Sequence, residues 1–150
     1  MVIFMKQRFF FSIAILFVLT IPLDATDNFL NLASQDLFLQ QGYPDDLMPM
    51  RGENEAEDCI VVNYNDGMSF ILWENRVKEI RVDKRYRGSI FGLYMAMTPT
   101  DASTTLGIDP KEEMSGELIF HKLDTALPVK IHLFFHADKL VNITISLLKN

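Results

Sequence analysis

The chain has 150 residues, 14 of them basic and 20 acidic, for a formal net charge of −6. That balance argues against sequence-independent nucleic-acid binding, which works by neutralising phosphates with Lys and Arg. The single cysteine, Cys59, excludes an internal disulfide, so stability has to come from a packed core.

At the N-terminus, Lys6 and Arg8 precede a mostly apolar run over 9–23, and the "LDA" at 23–25 offers a small residue for processing. A basic start, an apolar run of about 15 residues and a small residue at the cut describe a secretory signal, so residues 1–25 are expected to be removed on export. The alternative is a retained anchor. A spanning helix needs about 20 apolar residues, and Ser12, Thr20 and Pro22 shorten this run. Loss of Lys6, Arg8 and Asp24 takes the 14 basic and 20 acidic residues to 12 and 19. No lipid-bearing cysteine follows the run. The expected location is periplasmic or secreted, with no stable membrane insertion after cleavage.

Residues 29–41 place Phe29, Leu30, Leu32, Ala33, Leu37 and Phe38 near helical spacing, and Gly42 then Pro44 stop the helix. The acidic stretch 45–58, with Pro49 and Gly52, predicts a loop. "CIVVNYNDGMSFILW" predicts a hairpin turning at Asp66-Gly67, the composition of a type I′ turn. A second turn near 74–76 leads to "VKEIRVD", in which Lys78, Ile80 and Val82 alternate with Val77, Glu79 and Arg81. A three-stranded meander over about 58–83 follows.

"SIFGLYMAM" (89–97) predicts an extended, partly buried segment, relieved locally at Gly92. Thr98-Pro99-Thr100-Asp101 predicts a helix start, with a Thr cap, Pro in the first turn and an acid beside it; Gly107 ends that helix. "DPKEEMSG" predicts a loop, and three strands complete the chain. In the last, Val141, Ile143, Ile145 and Leu147 alternate with Asn142, Thr144 and Ser146, the pattern of a half-buried antiparallel strand, and as an edge strand 139–147 could pair two copies of the chain.

Asp36 stands six residues before Gly42 and Asp101 six before Gly107, and "LWENRVKEIRV" (72–82) is similar to "FFHADKLVNITI" (134–145), allowing one extra residue in the second turn. These landmarks predict an α+β fold of two tandem helix-plus-three-strand meander repeats on a largely antiparallel sheet, with short helices on one face. The expected division is 26–83 for repeat one and 84–150 for repeat two.

The segment "IFGLYMAMTPTDASTTLGIDP" (90–110) resembles the opening of the SmpA/OmlA-type domains of outer-membrane assembly lipoproteins, through Met97, Thr98, Leu106 and Gly107, with Gly42 and Pro44 at the matching turn of the first repeat. Ala96 stands where that pattern has Gly. The tandem helix-then-meander arrangement is similar to the β-lactamase-inhibitor-protein fold. The resemblance implies a non-enzymatic domain that binds proteins.

The residues offer little chemistry. His132 and His136 on one strand face are about 13 Å apart at 3.3 Å per residue, too far to share a metal ion. His121 could lie opposite His132, but no further ligands complete a site. Cys59 opens the apolar run "CIVV" and reads as a small buried hydrophobe. No catalytic residue, metal site or cofactor is therefore expected. Charge layout is more informative: Arg76, Lys78, Arg81, Lys84, Arg85 and Arg87 crowd into 12 positions, opposite an acidic group of Asp45, Asp46, Glu53, Glu55, Glu57 and Asp58. Such segregation either neutralises itself or steers a charged partner. The expected contact residues are Trp73, Arg81, Lys84, Arg85 and Tyr86, an aromatic-and-cation set suited to a protein interface.

The expected function is an exported protein-binding module of the bacterial cell envelope, with an inhibitor or immunity-type role as one form of it. An envelope-assembly accessory or a binder of small molecules or peptidoglycan fragments are the alternatives.

Overall fold

The computed structural model describes residues 29–51 and 58–148. The expected signal at 1–25 and residues 52–57 of the acidic stretch lie outside the described residues. In chain order the elements are α1 (Ser34–Gln41), β1 (Asp46–Arg51), β2 (Asp58–Asn63), β3 (Met68–Trp73), β4 (Arg76–Asp83), α2 (Pro99–Leu106), β5 (Glu112–Met114), β6 (Glu117–Lys122), β7 (Val129–His136) and β8 (Lys139–Leu147). The strands form one eight-stranded sheet in the order β1-β2-β3-β4-β8-β7-β6-β5. Every neighbouring pair is antiparallel.

Period-two alternation sorts the strands into two faces. One face packs against both helices: Leu37 of α1 and Ala102 and Leu106 of α2 join Phe70, Ile80, Phe120, Ile131 and Ile145 in a single core. Ile80, Ile145 and Ile131 form a row across β4, β8 and β7, and all three are fully buried. Each contributes about 1.5–3 kcal/mol by leaving water. The row joins the strands of the two chain halves into one core.

This sheet corrects the expected architecture. Two tandem three-stranded repeats are not what forms, because β4 pairs with β8 along five residue pairs and makes the sheet continuous. β8 is consequently central rather than an edge. The acidic stretch expected to be a loop contains β1, an edge strand that tolerates Pro49 because an edge has no partner on one side to need its N–H. β5 likewise arises within the expected "DPKEEMSG" loop, turning at Gly116 (φ 79°).

The turns also differ from their compositional reading. Asp66 does not take positive φ, so Asp66-Gly67 is not a type I′ turn. Tyr64 donates its N–H to the Met68 carbonyl at 2.9 Å, and only Gly67 (φ 92°) is left-handed, closing a longer loop. Among the described residues, the hairpins turning on two residues that both take positive φ are β3–β4 at Glu74-Asn75 (50° and 62°) and β7–β8 at Ala137-Asp138 (48° and 58°). Each is followed by a bulge, which puts Val77 rather than Lys78, and Leu140 rather than Val141, in the core. The two turns are of equal length, so the second carries no extra residue.

Residues 89–97 are not an extended strand. Ile90 and Leu93 bridge across a tight turn at Phe91-Gly92 (φ 52° and 77°), and Ile90, Phe91, Leu93 and Met97 are buried. The chain is then pinned to β8: Ala96 donates to the Leu140 carbonyl and Leu140 donates to the Met97 carbonyl, both at 2.8 Å. α2 begins and ends where its residues predict. Thr98 Oγ1 accepts from the Asp101 N–H at 3.2 Å, Pro99 lies in the first turn, and Gly107 (φ 64°) closes the helix.

Candidate functional site

The sheet face turned away from the helices carries the site. Its geometry follows from side-chain length. At the centre, β8 presents Asn142, Thr144 and Ser146, all short and polar. Across β4, Glu79 stands opposite Ser146 and Arg81 opposite Thr144. Across β7, Lys130 stands opposite Ser146, His132 opposite Thr144 and Phe134 opposite Asn142. A row of short side chains between two rows of long ones makes a trough along β8, with a volume of about 560 Å³.

The trough runs on toward the start of β4. There Trp73, Lys78 and Leu147 border a second hollow of about 460 Å³, which shares Glu79 and Ser146 with the first. Trp73 packs against Cys59, Val61 and Ile71, an apolar cluster on the same outer face of β2 and β3. Cys59 is thus a buried apolar residue, as its sequence context predicts.

The polar walls are partly self-paired. Arg81 Nε donates to Glu79 Oε1 at 2.6 Å. His132 Nε2 lies 2.7 Å from Glu117 Oε2 on β6, and its ring lies 4.0 Å from that of Phe134. Lys130 forms no ion pair among the described residues. His121 stands across from Lys130, not His132, which pairs with Ile119. Among the described residues, no group of three or more His, Cys, Asp and Glu side chains gathers to hold a metal ion.

The five expected contact residues divide between places. Trp73 and Arg81 border the trough. Lys84 and Arg85 are exposed on the turn after β4, where Arg85 forks onto the Asp83 carboxylate with Nη2–Oδ2 at 2.6 Å and Nε–Oδ2 at 3.0 Å. That bonding, together with the nearby charges of Arg85 and Lys84, holds the Asp83 carboxyl below its ordinary range. Tyr86 packs against the helix-side core, where burial and then the charge of Asp66 push its hydroxyl up. Sequence reasoning missed Lys130, His132 and Phe134 as neighbours of Arg81. The signal was their period-two spacing in "VKIHLFFH", but the β4–β8 pairing that brings them near Arg81 is not written in any local pattern.

No family model matches this chain, and no curated protein matches it. Solved structures do. One is an extracellular protein containing a SCP domain from Bacillus anthracis strain Ames, at a TM-score of 0.53 and 14% identity, covering 79% of this chain and 44% of that one. Another is a cysteine-rich secretory protein from Staphylococcus aureus Mu50, at a TM-score of 0.53 and 11% identity, covering 80% of this chain and 44% of that one. This chain therefore spans under half the length of either neighbour, and the likeness is one of fold. It corrects the resemblance drawn from residues 90–110: the structural neighbours are SCP-containing and cysteine-rich secretory proteins, not SmpA/OmlA-type or β-lactamase-inhibitor-protein-like domains. The Met-Thr and Leu-Gly residues behind that resemblance are helix-capping residues, which recur wherever a short helix needs a start and a stop.

Proposed function

We propose that this chain is an exported, non-enzymatic binding module that takes a protein partner on the open face of its sheet. Export is supported by the secretory pattern over 1–25 and by the extracellular and secretory character of both structural neighbours. No helix among the described residues is long and apolar enough to cross a membrane. The observation that carries the binding reading is the trough along β8, with Arg81 and Trp73 on one side and Lys130, His132 and Phe134 on the other. Aromatic and cationic side chains around a concave floor are the usual anchors of a protein interface. An inhibitor or immunity role against a secreted enzyme is the form of this function that suits a small acidic module.

A crosslinked pull-down from envelope and culture fractions tests it, using the parent, Arg81→Glu/Lys130→Glu and Lys84→Glu/Arg85→Glu. A partner held by the parent and lost only from the first variant supports the trough. Loss only from the second moves the interface to the turn after β4. A catch identical in all three overturns a charge-dependent face.

A further inference from the structure

Resting on that reading, we infer that the trough along β8 recognises an extended acidic peptide segment carrying apolar side chains on either side of its carboxylates. The charge inside the trough opposes that of the chain. Although the chain carries a net −6, the trough is lined by Arg81 and Lys130 against one carboxylate, Glu79. Glu79 is already engaged by Arg81 through Nε, the one guanidinium nitrogen of Arg81 that hydrogen-bonds among the described residues. The terminal nitrogens of Arg81, which is 49% exposed, remain to meet an incoming carboxylate in the forked geometry that guanidinium favours. Lys130, without an ion pair among the described residues, supplies a second cation on the opposite wall. The other carboxylate near the trough, Glu117, is held by His132 at 2.7 Å.

The ends of the trough differ from its middle. Phe134, stacked on His132, closes one end beside Asn142, and Trp73 borders the other beside Leu147. From Asn142 to Leu147 is five residue steps, about 17 Å of strand, which matches roughly five residues of an extended peptide. Thr144 and Ser146 on the floor offer hydroxyls to its backbone or side chains. A small diacid would reach the cations but leave both aromatic ends unused. The length and the separated apolar ends therefore select a peptide.

The test is selection from a random, displayed heptapeptide library on the purified protein and on Arg81→Gln/Lys130→Gln. Selected peptides are then titrated by amide NMR, with free glutarate as competitor. Both substituted side chains border solvent, so folding is expected to be kept and is checked from the same spectra. The expected result is enrichment of Asp and Glu flanked by apolar residues on the parent alone. Shifts should map to the amides of 142–147, and affinity should fall about tenfold in the double variant. Glutarate at millimolar concentration should not displace the peptide. Neutral peptides that still shift 142–147 would overturn the charge assignment while leaving the binding face. Equal displacement by glutarate would make the ligand a small acid. Shifts elsewhere, or no selected sequence, would overturn both the inference and the face on which it rests.

Discussion

Arg81 of β4 stands directly across from Thr144 of β8, a long cation beside a short hydroxyl on the outer face of the seam that joins the two halves of the sheet. That difference in length creates the trough, so filling the short position should remove the site without touching the core. Thr144→Tyr is expected to leave stability within about 0.5 kcal/mol, because Tyr suits an outward strand position. Partner capture should drop at least about tenfold. Urea unfolding and a quantitative pull-down on the same preparation check the two halves of this expectation.

Gly67 has no room for a side chain. A Cβ there would lie 2.7 Å from both Asp83 Oδ1 and the Tyr86 backbone nitrogen, at a residue whose φ is 92°. Asp83 also donates its N–H to the Gly67 carbonyl at 2.9 Å, which fixes the β2–β3 loop against the turn after β4. Gly67→Ala should cost about 2 kcal/mol or more, from left-handed strain and displacement of that turn. The urea midpoint should fall with an unchanged m-value.

Ala96 presents the opposite case. It adopts a φ of 71° while its N–H is tied to Leu140 at the start of β8. An L-residue with a Cβ pays for that conformation, and Gly does not. Ala96→Gly is therefore expected to stabilise by about 0.5–1 kcal/mol, despite the greater freedom it gives the unfolded chain. A thermal melt that drops by several degrees would show that the Ala methyl contributes packing that outweighs the strain.

The pH response at Asp83 follows from its bonding to Arg85. Its folded-state pKa lies below the ordinary 3.8, so the unfolded chain holds the proton more tightly. The stabilisation is complete above the unfolded pKa and is lost as pH falls through the lower, folded value. Asp83→Asn should reduce the acid-side loss of thermal stability below about pH 4 and lower stability slightly at neutral pH. A melting-temperature profile from pH 7 to pH 2 that overlays the parent would separate Asp83 from acid unfolding.

Much of this fold is legible in the residues. Strands with clean alternation, such as 129–136, and the capped helix at 99–106 can be read from spacing and punctuation, because local sterics and burial agree there. The misreadings have specific causes. Asp66-Gly67 has the composition of a type I′ turn, yet the loop begins at Tyr64, whose hydroxyl donates to the Gly42 carbonyl at 2.9 Å and ties the turn to the end of α1. The β3–β4 and β7–β8 hairpins turn at Glu74-Asn75 and Ala137-Asp138, and neither pair carries a glycine to announce it. The bulges after them shift which residue faces the core, so strict alternation misplaces Lys78 and Val141. For the site, Arg81 and Trp73 are visible as a cation near an aromatic. Their approach to Lys130, His132 and Phe134 depends on β4 meeting β8, a contact between residues 59 to 67 positions apart in the chain.

The measurement that tests the binding face most directly is photocrosslinking from within the trough. A photoreactive side chain placed at Thr144 is compared with one at Ser89 and one at Lys111, both exposed and outside the trough. The predicted result is one discrete adduct with an envelope or secreted protein from position 144, absent from the other two. Adducts of equal yield from all three positions, or an adduct from 89 or 111 with none from 144, would contradict the assignment of the β8 trough as the binding site.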